Sequence, residues 1–199
     1  MSLAQGFPAG CRGRASALTV RGLLTRLQSL PRQLAPVSNR VGTMRLSELL
    51  NPQAISTRLQ AASKREAIAE LVALLEAAHG IQSQGEILDR VLRREAMMST
   101  GIGNGVAIPH GKARLVDRLV AACGVSPPGI DFESADGEPA TLFVLLVAPE
   151  SGGALHVKVL ANISRLLKEE PVRRSLREAG TPEAFFAALK AAEMVHIPQ

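Results

Sequence analysis

The 199-residue chain has no Trp and no Tyr, and aromatic residues make up only 3% of it although 46% is hydrophobic. A core must therefore be built from Leu, Val, Ile and Ala. Modules that bind nucleic acid by stacking bases on aromatic rings are excluded by the same shortage. Only two cysteines occur, Cys11 and Cys123, and they do not form a disulfide framework. Cys123 lies in an apolar run and reads as core filling. Long hydrophobic runs are missing too: the longest, Leu142 to Ala148, is far short of the ~20 residues that span a bilayer. A protein of the cytoplasm, without membrane insertion, is the expectation.

Acidic residues are absent from the first 43 positions, which carry six arginines (Arg12, Arg14, Arg21, Arg26, Arg32, Arg40) and no Lys. The formal net charge of +5 belongs to that segment, because from Met44 onward 17 basic residues face 18 acidic ones. No basic face on a folded part is expected, and no nucleic-acid partner. Residues 1–43 offer one weakly amphipathic stretch, Val20, Leu23, Leu24 and Leu27. Arg-rich, acid-free composition suits an organellar targeting segment, but equally a disordered leader or a start codon placed upstream of a true start at Met44. The last two fit better, since well-patterned sequence begins at Met44.

From Met44 helical and extended patterns alternate, which predicts a single α/β domain over residues 44–199, with a small mixed β-sheet flanked by helices. A helical turn is expected at Leu46–Leu50. Ser63, with Glu66 three residues on, reads as a capping box opening a helix that buries Ile68, Leu71, Val72 and Leu75 and stops at Gly80. Glu86–Met97 reads as a second helix with Ile87, Val91 and Leu92 inward. Short apolar runs at Val106–Ile108, Leu119–Val125 and Ala140–Val147 read as strands. Leu155, Val159, Ile163 and Leu166 recur at helical spacing, and Thr181-Pro182 opens a last helix.

Chemistry concentrates between Ser99 and Lys112. Gly101, Gly103 and Gly105 strip the loop of side chains, so that its backbone N–H groups can approach an anion. With Thr100 and Asn104 they form a candidate phosphate-binding set. A Walker loop does not fit, because five residues separate Gly105 from Gly111 and Ala113 follows Lys112. The dinucleotide fingerprint fails at Val106, where it requires glycine. What remains is His110, expected at the end of a short strand and held by Pro109 and Gly111. Proline restricts the backbone on its N-terminal side and so sets the direction of the imidazole. A neutral imidazole nitrogen is a good nucleophile near neutral pH. On residues alone His110 is either such a nucleophile or an ordinary turn histidine. A metal site made by His110 and His156 is the competing idea, but no carboxylate or Cys stands at ligand spacing near either.

The run Ser-Thr-Gly-Ile-Gly-Asn-Gly-Val-Ala-Ile-Pro-His-Gly, residues 99–111, resembles the phosphorylation-site signature of the IIA proteins of the bacterial phosphotransferase system, fructose/mannitol type. The order of elements from Met44 to about Val195 is similar to that family too. Within it, Ile-Pro-His-Gly-Lys and Leu-Ser-Glu-Leu-Leu are most similar to the nitrogen-regulatory branch. The resemblance implies a stand-alone phosphocarrier that accepts phosphate on His110 from an HPr-like donor and needs no cofactor. It further implies that Arg94 and His156 assist. Its targets would be regulatory partner proteins or a IIB domain. By spacing alone, Arg94 is a solvated helix charge that Arg93 could replace, and His156 a helix residue stacked on Leu160 in the first turn of its helix, where the dipole favours an anion. His79 and His196 are given no role.

Overall fold

A computed structural model describes residues 44–197. The segment of residues 1–43, with its amphipathic stretch at Val20 to Leu27, lies outside the described residues. In chain order the elements are α1 (Leu46–Leu49), β1 (Leu50–Ser56), α2 (Lys64–His79), α3 (Glu86–Met97), β2 (Gly101–Gly103), β3 (Val106–Ala107), β4 (His110–Ala113), β5 (Val120–Ile130), β6 (Ala140–Pro149), α4 (Gly153–Leu166), α5 (Glu170–Arg177) and α6 (Pro182–His196).

The capping box at Ser63 and Glu66 opens α2 as expected, and the helix ends at Gly80 with a left-handed φ of 65°. Such a C-terminal residue favours glycine, which has no Cβ to clash. α3 runs between the expected bounds, and Thr181 caps α6 by accepting from the Ala184 amide.

The six strands form one mixed sheet in the order β1-β5-β6-β3-β2, with β4 also on β6. β1 is parallel to β5, β5 antiparallel to β6, and β3 and β4 both parallel to β6. Val120 to Val125 and Leu142 to Ala148 are buried residue after residue, so helices cover both faces of the central β5–β6 pair. α2 lies on β1 and β5, α3 on β4, and α6 on β1. β1 was not expected because Pro52 and polar residues break its pattern; it is the outer strand, where a missing N–H costs least.

β4 corrects the expected end of the strand at His110. Val106 faces Leu142 and Ala107 faces Phe143, and after a gap His110 faces Leu146 and Lys112 faces Ala148, all at one constant offset. β3 and β4 are thus one line along the edge of β6, interrupted at Ile108 and Pro109. Proline has no N–H to give the ladder, and pairing lapses there without losing register. His110 opens a strand rather than closing one.

α4 brings a second correction. Val159, Ile163 and Leu166 are buried as expected, but Leu155 is 38% exposed and His156, at 6%, takes the core position instead. Among the described residues no helix is long and apolar enough to cross a membrane.

Candidate phosphoryl-transfer site

The Ile108-Pro109 interruption leaves a free carbonyl beside the His110 ring. Nδ1 lies 2.8 Å from the Ile108 oxygen. A carbonyl only accepts, so Nδ1 carries the proton and Nε2 holds the lone pair. The other side of the ring agrees with this tautomer: Arg94 Nε donates to His110 Nε2 at 3.1 Å. Arg94 reaches across from the last turn of α3, and its Nη1 donates to the Met98 carbonyl at 3.0 Å. Arg93 points elsewhere and pairs with Asp89 at 2.6 Å. Of the two adjacent arginines, the structure brings Arg94 to His110.

Burial lowers the His110 pKa below its ordinary 6.5, and the Arg94 guanidinium lowers it further, against opposing contributions from the Ile108 hydrogen bond and Glu95. The ring is neutral near pH 7 and competent as a nucleophile. The His156 ring sits 5.5 Å from that of His110, centroid to centroid, tilted by 52°. Burial first, then the charges of His110, Lys112 and Arg94, push its pKa down to about 4. His156 Nδ1 is buried and has no hydrogen-bond partner among the described residues. Its own amide is taken by the Gly152 carbonyl at 3.1 Å, the first hydrogen bond within α4.

The glycine loop is arranged differently from an open nest. Gly103, Asn104 and Gly105 all have positive φ (86°, 56° and 70°) and turn β2 tightly into β3. The Asn104 amide donates at 2.7 Å to the Asp136 carboxylate. Thr100 gives its amide to Glu95 at 3.0 Å, and Gly101 gives its own to Ser99 Oγ at 3.2 Å. These three donors are committed within the protein. The glycines answer to close backbone approach: a Cβ on Gly101 would lie 2.8 Å from Ser134 Cα, and one on Gly103 would lie 2.9 Å from Asp136 Oδ2. An alternating glycine pattern does not separate an anion nest from a hairpin pressed against a neighbouring segment.

Three residues near the site were not singled out in the sequence. Lys112 shares with His110 the face of β4, two residues on. Glu95 is buried at 6%, and Lys64 reaches it across 2.8 Å. The signal for Glu95 was present in its spacing, four residues beyond Val91 and eight beyond Ile87 on the inward stripe of α3. Exposed apolar side chains flank the machinery: Met97 and Met98 after Arg94, Ile102 on β2, and Leu155 and Val157 on either side of His156. Among the described residues no three His, Cys, Asp or Glu side chains gather as metal ligands would.

A mixed α/β sheet presenting a histidine pair beside an arginine defines a class, the phosphotransferase-system IIA domains. The chain belongs to the family "Phosphoenolpyruvate-dependent sugar phosphotransferase system, EIIA 2", which its residues 48–192 match. It is 38% identical over 146 residues to a nitrogen regulatory protein of Bradyrhizobium diazoefficiens, a match that covers 73% of this chain and 95% of that protein. It is 36% identical over 141 residues to the fructose-specific EIIABC component of Bacillus subtilis, covering 71% of this chain but 22% of that larger protein. The crystal structure of the nitrogen regulatory protein IIA-Ntr from Neisseria meningitidis superposes with a TM-score of 0.67 at 29% identity, covering 72% of this chain and 98% of that one.

Proposed function

We propose that this protein is a histidine phosphocarrier whose His110 Nε2 accepts a phosphoryl group from a phosphohistidine on a small HPr-like protein, and whose main role is nitrogen or metabolic regulation in the cytoplasm. The observation that carries the reading is the polarity of the His110 ring: Nδ1 is tied to the Ile108 carbonyl, and Nε2 offers its lone pair 3.1 Å from the Arg94 guanidinium. In the transfer the P–N bond of the donor breaks, its electron pair returns to the donor ring, and a new P–N bond forms at Nε2.

Such a transfer spreads charge over the equatorial oxygens, so catalysis is positioning and electrostatic stabilisation. Arg94 moves from the lone pair to the phosphoryl oxygens. His156, whose ring stands 5.5 Å from that of His110, gives a ring N–H to a phosphoryl oxygen. Transfer from one histidine to another calls for no nucleotide, metal or other cofactor. The loop from Thr100 to Gly105 serves this site as a frame, since the amides of Thr100, Gly101 and Asn104 are already bonded.

Similarity to nitrogen regulatory proteins over nearly their whole length supports the regulatory role. A phosphoryl group adds roughly −2 charge to the surface. Beside the exposed Met97, Met98, Leu155 and Val157, that charge would admit one set of regulatory partners and repel another. The second reading, a IIA component of fructose/mannitol-type sugar uptake that passes phosphate to a IIB domain, is favoured by the similarity to a fructose-specific EIIABC component.

Incubation with phosphoenolpyruvate, enzyme I and an HPr-type carrier should yield an acid-labile phosphoprotein, and His110→Ala should take no label. Full labelling of that variant refutes the assignment. Restored sugar phosphorylation with a matching IIB/IIC pair would favour transport. Partners captured by only one phosphorylation state would favour regulation.

A further inference from the structure

Glu95 follows Arg94 in the chain and points the opposite way, into the protein. A carboxylate at 6% exposure is costly unless its oxygens are well satisfied. Here they are. Lys64 Nζ lies 2.8 Å from Oε1, the Thr100 amide donates to both oxygens at 3.0 and 3.2 Å, and the Thr100 hydroxyl donates to Oε2. Lys64 also donates to Ser99 Oγ at 3.4 Å and pairs with Glu133 at 3.0 Å. Burial disfavours the ammonium, but its bonds to Glu95 and Glu133 outweigh that and raise its pKa above the usual value. The first residue of α2, the last turn of α3 and the approach to β2 thus meet on one carboxylate.

The segment secured in this way, Met97 to Thr100, contains the Met98 carbonyl that accepts from Arg94 Nη1 at 3.0 Å. A guanidinium is planar and rigid, so holding Nη1 sets where Nε points. Nε points at His110 Nε2, 3.1 Å away. Contacts run from Lys64 through Glu95 to Thr100, the chain itself carries the link back two residues to the Met98 carbonyl, and contacts resume through Arg94 to the His110 ring. Stability alone does not account for a buried ion pair here, because well-packed apolar replacements of such pairs are often neutral or better.

We propose that Glu95 is a positioning residue for phosphoryl acceptance: it fixes the turn whose Met98 carbonyl aims the Arg94 guanidinium at the reacting nitrogen of His110. The inference rests on the reading of His110 as the phosphoryl acceptor.

Glu95→Gln keeps the shape and one acceptor for the Thr100 amide but loses the ion pair with Lys64. Initial labelling rates would be compared for the full-length wild type, Glu95→Gln, Arg94→Gln and the double variant, using phosphoenolpyruvate, enzyme I and an HPr-type carrier. Glu95→Gln should label about 10-fold more slowly, a loss in keeping with a misplaced catalytic contact. Combined with Arg94→Gln it should add no further slowing, because its effect passes through Arg94. If Glu95→Gln folds poorly, Lys64→Met/Glu95→Gln removes both charges together and takes its place in the same comparison. A variant that labels at the wild-type rate, or slowing that multiplies with that of Arg94→Gln, overturns the proposal.

The ¹⁵N resonance of His110 Nε2 reads the contact without any chemistry. It should move in Glu95→Gln toward its position in Arg94→Gln, and an unmoved resonance overturns the placement of Glu95. A wild-type protein that takes no label overturns the role of His110 instead, and the resonance comparison still decides the one proposed for Glu95.

Discussion

Acidification should expose the electrostatics of the histidine pair as a loss of stability. His156 is nearly buried, and desolvation, followed by the charges of His110, Lys112 and Arg94, lowers its pKa from 6.5 to about 4. An unfolded chain protonates the same ring near its ordinary value. Between the two values the unfolded state binds more protons. The stability contributed is therefore fully present above about pH 6.5 and is lost as the pH falls toward 4. By pH 4.5 the loss from this one side chain is about 2.5 kcal/mol, or roughly 5–10 °C in Tm for a domain of this size. His110 contributes a loss of the same sign, because its pKa is also lowered. Urea unfolding of wild type and His156→Gln at pH 7.5 and pH 4.5 isolates the effect, since glutamine does not titrate. Wild type should lose about 2.5 kcal/mol more than the variant between those pH values; equal losses would refute the reasoning. A phosphoryl dianion on His110 should reverse part of the effect by favouring imidazolium at His156. His156 in the phosphoprotein should then titrate at a higher pH in an NMR experiment.

Arg94→Gln removes the charged donor aimed at Nε2 and should slow labelling of His110 about 100-fold, while the His110 pKa climbs back toward 6.5 in an NMR titration because the guanidinium no longer lowers it. A wild-type labelling rate would remove Arg94 from the machinery. Lys112→Ala takes one cation from the surroundings of His156 and should raise its pKa above the present value of about 4, again read by NMR; an unchanged titration would separate Lys112 from the site. Gly111→Ala puts a Cβ 3.0 Å from Val91 Cγ2 and 3.2 Å from the Val91 backbone nitrogen. It should cost about 1–3 kcal/mol in chemical unfolding and slow labelling as α3, which bears Arg94, is pushed away from β4. Ser63→Ala deletes the cap of α2 and should cost about 1 kcal/mol with no change in labelling once the protein is folded.

Where one local rule dominates, the fold was legible in the residues. The capping box at Ser63 and Glu66, the left-handed stop at Gly80, the bounds of α3 and the start of α6 all follow from capping chemistry and helical spacing. β5 and β6 announced themselves as apolar runs because both of their faces are buried. β1, β2 and β4 did not, since polar, glycine or proline residues interrupt the apolar pattern in each of these short strands. α5 was missed for another reason. Its Arg173 looks like a solvent residue, yet its Nη1 donates to the Leu167 and Lys168 carbonyls at 2.8 and 2.6 Å and caps the end of α4. For β1 and β4 the partner strands, β5 and β6, lie far along the chain, and no local window contains them.

The candidate site divides along the same line. His110 was picked out by the resemblance of residues 99–111 to a phosphorylation-site signature, but which of its nitrogens keeps the lone pair depends on the Ile108 carbonyl, left free beside the ring where proline interrupts the edge strand. His156 was readable as a helix residue, and its depressed pKa comes from burial together with charges contributed by α3 and β4. The glycines of the loop read in the sequence as letting its amides approach an anion, whereas Gly101 and Gly103 lie against Ser134 and Asp136, some thirty positions away. With Thr100, Gly101 and Asn104 bonded to Glu95, Ser99 and Asp136, those amides can turn to a phosphoryl group only by giving up bonds they already have. A side chain already poised over Nε2 gives up far less. Arg94 rather than the loop is therefore where substitution should weigh most on phosphoryl acceptance.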